Sequence, residues 1–211
     1  MVPGYKDAMN REEKETLERD FTLKNHKYSD LMDAWSKSHK IFDVINEKGF
    51  EVGVEIGVAY GNHSDNILDK TKIKKWYGVD PYVWYEDYKK DGMSMGQDDF
   101  DTLHDFVEKR LSFYGYRFEL IRDYSRNALG LFTDGSLDIV YIDGNHSRRY
   151  VKKDIRNWWE KVRVGGVLSG HDYNHVNTPW VTTEVNKFAK YQGRPVEYMG
   201  DHVWYIEKTN D

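Results

Sequence analysis

The sequence predicts an α/β domain built on a doubly wound, mostly parallel sheet. Three features lead there. Short apolar runs recur along the chain, helical patterns separate most of them, and several runs end in Gly or Asp. Strands buried on both faces read as near-continuous apolar runs, and alternation with helices is the signature of a parallel sheet covered on both sides.

Residues 1–30 are highly charged and poor in apolar periodicity, which predicts an N-terminal arm or linker, with Glu12–Asp20 as a solvated face and the folded domain over 31–211. Leu31, Trp35, Ile41, Phe42 and Ile45 fall near helical spacing, and Gly49 ends that helix. Strands follow at 51–57, 76–80, 117–123, 137–143 and 165–172, with helices at 64–72, 99–113 and 148–162. Trp158 and Trp159 lie inside the last of these helical patterns and are expected to pack on the sheet. A helix-like TTEVNKFAKY is followed by PVEYMG and HVWYIEK, close enough to form a terminal hairpin. The insertion Pro81–Asp98 is long, polar and aromatic, which suits a lid or acceptor wall.

Composition narrows the function. With no cysteine, a disulfide framework, thiolate catalysis and Cys-type zinc sites are all excluded, and a reducing, cytoplasmic location is expected. No apolar run approaches the roughly 18 residues of a membrane span. The net charge of -5 argues against nucleic acid as the main partner.

In open parallel sheets, ligands bind beyond the carboxyl ends of the strands. The first such end is Glu55-Ile56-Gly57-Val58-Ala59-Tyr60-Gly61, where the glycines permit a sharp turn into a helix whose free amides face a ligand. Tyr60 and Ser64 join this candidate cofactor set. Asp80 closes the next strand, about 20 residues on, where a carboxylate would accept bonds from ribose hydroxyls. The pair alone is compatible with a nicotinamide enzyme. However, the pattern is E-x-G-x-x-x-G rather than GxGxxG, and a carboxylate at Glu55 would repel a pyrophosphate while suiting a ligand with an ammonium and a sulfonium. That favours S-adenosylmethionine (SAM) over NAD.

The chemistry is expected where the fourth and fifth strands end. IDGNHS places His146 three residues after Asp143, and GGVLSGHD ends in His171-Asp172. An alcohol needs a base or a metal to become nucleophilic. Either His146 takes the hydroxyl proton directly, or Asp143 and Asp172, with His171 beside them, hold a magnesium-like divalent cation while His146 assists. Asp143 is counted with the cofactor set as well. A His at position 171 is a less natural partner for a hard, oxygen-seeking ion. Tyr82, Trp84, Tyr85, Asp172, Asn174 and His175 are the candidate acceptor wall. His63 has no evident task and reads as structural.

EVGVEIGVAYGNHS, YGVDPY and LDIVYIDGNHSRRYVKKDIRNWWEKVRVGGVLSGHDY together resemble the class I SAM-dependent methyltransferases, and within them the branch of sugar and small-molecule O-methyltransferases. The resemblance covers about residues 50–206. It implies a Rossmann-like, seven-stranded sheet with an antiparallel last strand and helices on both faces. Glu55 and Gly57 would hold the methionine part, Asp80 the ribose, and Asp123 and Ser125 would lie along the adenine. The acceptor it implies is a small polar molecule, a sugar or a glycan; a glycosyltransferase, joined to the chain or working with it, is the candidate partner. A metal-dependent catechol or phenol O-methyltransferase and a non-catalytic SAM-binding module are the competing readings.

Overall fold

The computed structural model describes residues 9–23, 26–27, 40–84 and 95–210. Helix α1 (Arg11–Asp20) opens with a capping box in which Asn10 and Glu13 each accept from the other's backbone amide. A short antiparallel ladder follows, β1 (Thr22–Leu23) with β2 (His26–Lys27). Helix α2 (Ile41–Lys48) ends at Gly49, which takes the left-handed conformation. Residues 31–39, with the expected Leu31 and Trp35, lie outside the described residues, as do 85–94 of the long insertion and with them Tyr85.

Seven strands form the main sheet: β3 (Val52–Ile56), β4 (Lys75–Val79), β5 (Phe118–Ile121), β6 (Leu137–Ile142), β7 (Val162–Gly170), β8 (Glu197–Gly200) and β9 (Val203–Glu207). Their order is β5-β4-β3-β6-β7-β9-β8, with β3 to β7 parallel and β9 antiparallel to both of its neighbours. This is the expected Rossmann-like sheet. The terminal hairpin turns through Asp201 and His202, both at positive φ, as a two-residue turn requires.

Alternation along the strands divides the core. Val54, Ile56, Val140, Ile142 and Leu168 face one side and pack with residues of α6 (Arg148–Trp159) and α7 (Pro179–Gln192), among them Ile155, Trp158 and Val185. Ile139, Tyr141 and Val167 face the other and meet α2 and α3 (Asn62–Lys70) through Ile45, Ile67 and Leu68. Trp158 and Trp159 are buried, as the helical pattern implied. Truncating such side chains costs about 3–5 kcal/mol. The third cluster joins α4 (Gln97–Leu111) to Val58, Tyr60 and Tyr82 at the strand ends.

Only part of α1 is a solvated face. Arg110 of α4, 4% exposed, donates to Glu18 and Asp65 (2.5 and 2.8 Å), and Lys14 donates to Asp65. Phe21 stacks on Phe106, 3.7 Å between ring centroids. Opposite charges at helical spacing therefore hold one side of α1 to the body, while Glu12, Glu15 and Asp20 remain exposed.

The chain runs outward from β3 to β4 and β5, then crosses back to place β6 on the other side of β3. The crevice between the ends of β3 and β6 is thus the switch point where a ligand belongs.

Candidate active site

The turn after β3 is built against β6. Gly57 has φ +90°, and a Cβ there would fall 2.2 Å from the Asp143 carbonyl oxygen and 2.6 Å from Gly144 Cα. Gly57 N–H donates to Val79 O, and Asp143 N–H to Ile56 O (2.9 and 2.8 Å). Only glycine fits this backbone and this approach. Gly61, φ +78°, serves packing: a Cβ there would meet Val107 and Leu111 of α4. No side chain caps the first turn of α3, so its amides are left to the crevice side.

Several expected contacts prove internal. Glu55 is 1% exposed, with Ser64 Oγ–H donating to one oxygen and His63 Nδ1 3.1 Å from the other. Ser64 also accepts from Trp76 Nε1 (3.0 Å). The reason is strand alternation: Glu55 points under α3 rather than out of the strand end. Glu55 and Ser64 are a buried brace, and His63, read as structural, belongs to it and stacks on Tyr141. Tyr60 is likewise packed into the α4 cluster. Tyr82, 1% exposed, donates through its hydroxyl to Ala59 O (3.0 Å) and underlies the turn.

Asp80 accepts from Val58 N–H and Ala59 N–H at one oxygen and from Tyr82 N–H at the other (2.9, 3.1 and 2.8 Å). An ionised carboxylate offers about four acceptor positions, so one remains for a ligand hydroxyl. Asp123 accepts from Tyr124 N–H and Asn127 Nδ2 (2.7 and 2.8 Å). Ser125 opens helix α5 (Ser125–Ala128), donates to Asp154 and accepts from Trp158 Nε1 (2.5 and 2.8 Å), so its hydroxyl faces the body of the protein.

The second cluster forms as the neighbouring strands β6 and β7 require. Ile142 pairs with Gly170, which sets Asp143 beside the turn carrying His171 and Asp172. His146 Nε2 lies 2.9 Å from Asp172 Oδ2 and 3.4 Å from Asp143 Oδ1. Burial lowers the His146 pKa, but hydrogen bonds and charge from Asp143 and Asp172 outweigh it and raise it to about 10. Burial acts on Asp172 in the opposite sense, and the bonds from His146 and His171 hold it well below the usual carboxylate range. Burial also lowers His171, and Asp172 reverses this, so its pKa is raised. His171 Nε2 donates to Asp201 O (3.1 Å), and Nδ1 is 3.4 Å from Asp172. Both its nitrogens are turned to protein groups, and it stands beside the cluster rather than in it.

Asp172 and Asn174 both take positive φ, which bends the loop back over the strand ends. Thr178 Oγ1 donates to Asp172 Oδ1 (3.1 Å), and His175 Nδ1 lies 3.5 Å from it. Asn174 and Trp84 are exposed and His175 is half-buried. Sequence reasoning missed Thr178, His202 and Asn145. His202 Nδ1 donates to Tyr173 O, and Tyr173 N–H donates to His202 O, stitching the loop to the terminal hairpin. Asn145, inside IDGNHS, buries its Nδ2 without a hydrogen-bond partner among the described residues.

A family model described as a methyltransferase domain matches residues 54–173, from inside β3 to the loop after β7. The match covers both clusters and more than half of the chain. The chain belongs to this methyltransferase family. An uncharacterised protein of Acanthamoeba polyphaga mimivirus is 26% identical over 140 residues, 64% of this chain; the chain spans 58% of that relative's length. Among solved structures, the SAH-bound methyltransferase PaMTH1 of Podospora anserina superposes with a TM-score of 0.58 at 14% identity, covering 93% of this chain and 86% of that one. The O-methyltransferase TomG of Streptomyces achromogenes, involved in tomaymycin synthesis and solved with SAM, gives 0.54 at 12% identity, covering 79% and 77%. At these identities the likeness is one of fold.

The methyltransferase's crevice fits a methyl donor by its own features: uncapped amides at α3, a Gly57 turn against Asp143, one open position on Asp80, and the orphaned Asn145 amide. Asp143, His146 and Asp172 each offer one ligand atom, all within 4.8 Å of one another. The two carboxylate oxygens suit a hard divalent cation, with the His146 nitrogen beside it. No described helix is long and apolar enough to cross a membrane.

Proposed function

We propose that this methyltransferase uses SAM to methylate a hydroxyl oxygen of a sugar unit, free, nucleotide-linked or within a glycan. The observation that carries the reading is the Asp143–His146–Asp172 cluster standing beside the Gly57 turn. One side of the crevice is dressed for a donor and the other for handling a hydroxyl proton. Bound SAM supplies an electrophilic methyl on a sulfonium, so alignment is the protein's main task. The α3 amides and the Asn145 amide receive the donor's amino-acid end, Asp80 one ribose hydroxyl, and Asp123 flanks the adenine.

His146 is the base of this reading, with a condition attached. Between two carboxylates it is an imidazolium at neutral pH and holds no lone pair for a proton. A divalent cation on Asp143 and Asp172 would draw away the partners that raise His146 and lower its pKa toward the range that suits a base. The cation would be held by Asp143 and Asp172 and would supply charge for the acceptor oxygen. The same donor set favours a second reading, a metal-dependent phenol or catechol acceptor with two vicinal hydroxyls.

The deciding experiment is calorimetric titration with SAM and SAH, with NADH as control, followed by turnover on sugar and catechol panels with and without EDTA. Micromolar binding of SAM and SAH alone, and methyl transfer to a sugar hydroxyl, are the expected results. Failure to bind either ligand overturns the reading; turnover of the catechol alone replaces it with the second.

A further inference from the structure

The molecule carries a net charge of -5, yet helix α6 presents Arg148, Arg149, Lys152, Lys153 and Arg156, all exposed. Its only carboxylate, Asp154, is buried on the opposite face. Arg148, Lys152 and Arg156 follow one another at i, i+4 spacing and form a single stripe, where like charges repel. Two of the five cations occupy the first turn, which has no acidic residue and where the helix dipole opposes positive charge. A helix optimised for its own stability would distribute charge the other way, and such local conflicts mark functional positions.

The stripe lines a cavity. A groove of about 260 Å³ runs between α6 and α7, with Arg148, Lys152, Arg156 and Lys187 along it and buried Phe188 at its base. Glu184, also buried there, already holds Arg148 (2.7 Å) and approaches Lys187 (3.7 Å). Arg148 is further fixed by lying 5.0 Å over the ring of Trp180, itself 44% exposed. Lys152 feels the charge of Glu184 without forming an ion pair, and Arg156 forms no ion pair among the described residues. Arg148 is two residues beyond His146, so the Arg148 end of the groove is the end nearer the reactive cluster. The stripe from Arg148 to Arg156 runs for roughly 12 Å at the helical rise, longer than a single sugar ring.

We infer that the α6–α7 groove is an acceptor subsite for the anionic groups of an acidic saccharide chain. The inference rests on the sugar reading above and narrows it: the acceptor is an oligomer carrying carboxylate, sulfate or phosphate groups, methylated at one unit while later units lie along α6. One carboxylate, Glu184, faces four cations along the groove, an excess that an extended anion would neutralise, and Trp180 offers an aromatic face near Arg148. The acidic remainder of the surface disfavours a long nucleic acid, which would need cations on more than one face.

The test uses tetragalacturonate, its uncharged methyl-ester form and a single-stranded oligonucleotide of equal charge. Each is titrated into the SAH-loaded protein at two salt concentrations. Wild type is expected to bind tetragalacturonate, more weakly at high salt, and to ignore the ester. Lys152→Glu/Arg156→Glu is expected to lose at least about tenfold in affinity, with Lys152→Gln/Arg156→Gln intermediate and SAH affinity unchanged in both. Absence of tetragalacturonate binding, equal binding of the ester, or indifference to charge reversal overturns the inference. Tighter binding of the oligonucleotide overturns it in favour of nucleic acid. Failure of wild type to bind SAH refutes the donor reading instead, and the saccharide titration on unloaded protein then still decides the groove.

Discussion

His146 Nε2 and Asp172 Oδ2 stand 2.9 Å apart, although their residues come from the ends of two different strands. Their pairing follows from the register of β6 on β7, which brings the loop after one strand over the loop after the other. It also sets the proton inventory of the site, because the imidazole is held charged and the carboxylate is held ionised.

A histidine whose pKa is raised contributes stability that is whole below its unfolded value and lost as pH rises through the folded one. A carboxylate whose pKa is lowered contributes stability above its unfolded value, lost as pH falls through the folded one. In metal-free protein the pair's contribution is therefore whole between about pH 4 and about 6.5, declines as pH rises toward 10, and is lost above it. NMR titration should find the His146 imidazole changing charge near 10, and Asp172→Asn should bring that midpoint down by ~2 units. A midpoint near 6.5 in the unsubstituted protein would show that the carboxylates do not hold the ring.

Titration with Mn²⁺ should find one ion per chain, read by calorimetry or by loss of the free-ion EPR signal. Asp143→Asn/Asp172→Asn should abolish binding, and His146→Ala should weaken it by about 10- to 100-fold. Chelation should lower turnover. Undiminished Mn²⁺ binding in the double variant would place the ion elsewhere.

Ser64→Ala removes a hydroxyl that satisfies both Glu55 and Trp76. Two buried polar groups lose their partner, at about 1–3 kcal/mol each. Urea unfolding should register a loss of that order, and a cost below half a kcal/mol would mean that the Glu55 brace is not formed.

Gly57 and Gly193 both take positive φ, but only Gly57 has protein within reach of an added Cβ. Gly193→Ala should cost about 1 kcal/mol for its backbone alone. Gly57→Ala should cost more and weaken SAH binding at least tenfold, because it parts the ends of β3 and β6. Equal effects of the two substitutions would remove the case for close approach at Gly57.

Arg110→Ala leaves Glu18 and Asp65 with Lys14 as their remaining cation. A loss of about 1–3 kcal/mol is expected, together with faster proteolytic cleavage within α1. Cleavage at the unsubstituted rate would show that α1 is held by its apolar contacts, Phe21 on Phe106 among them.

The sheet was legible because its signal is local: strands apolar on both faces, glycines at their ends, helices between. The meeting of Asp143, His146 and Asp172 was legible for the same reason, since adjacency of two strands suffices to bring their ends together. What stayed hidden was direction. Glu55, Ser64, Tyr60 and Tyr82 occupy ligand-side positions in the sequence but point into the body, and only strand alternation in three dimensions decides that. Ser125 was lost in the same way, to Trp158 and Asp154 of a helix over 20 residues on. The salt links of α1 were invisible because their partners, Asp65 and Arg110, lie far along the chain.

The stitch between Tyr173 and His202 bears on how the terminal hairpin reaches the site. The loop carrying Asp172 shares one of its anchors with that hairpin, a contact bridging 29 residues of sequence. A change in the hairpin would therefore reach the reactive cluster through the backbone, without touching any of its side chains.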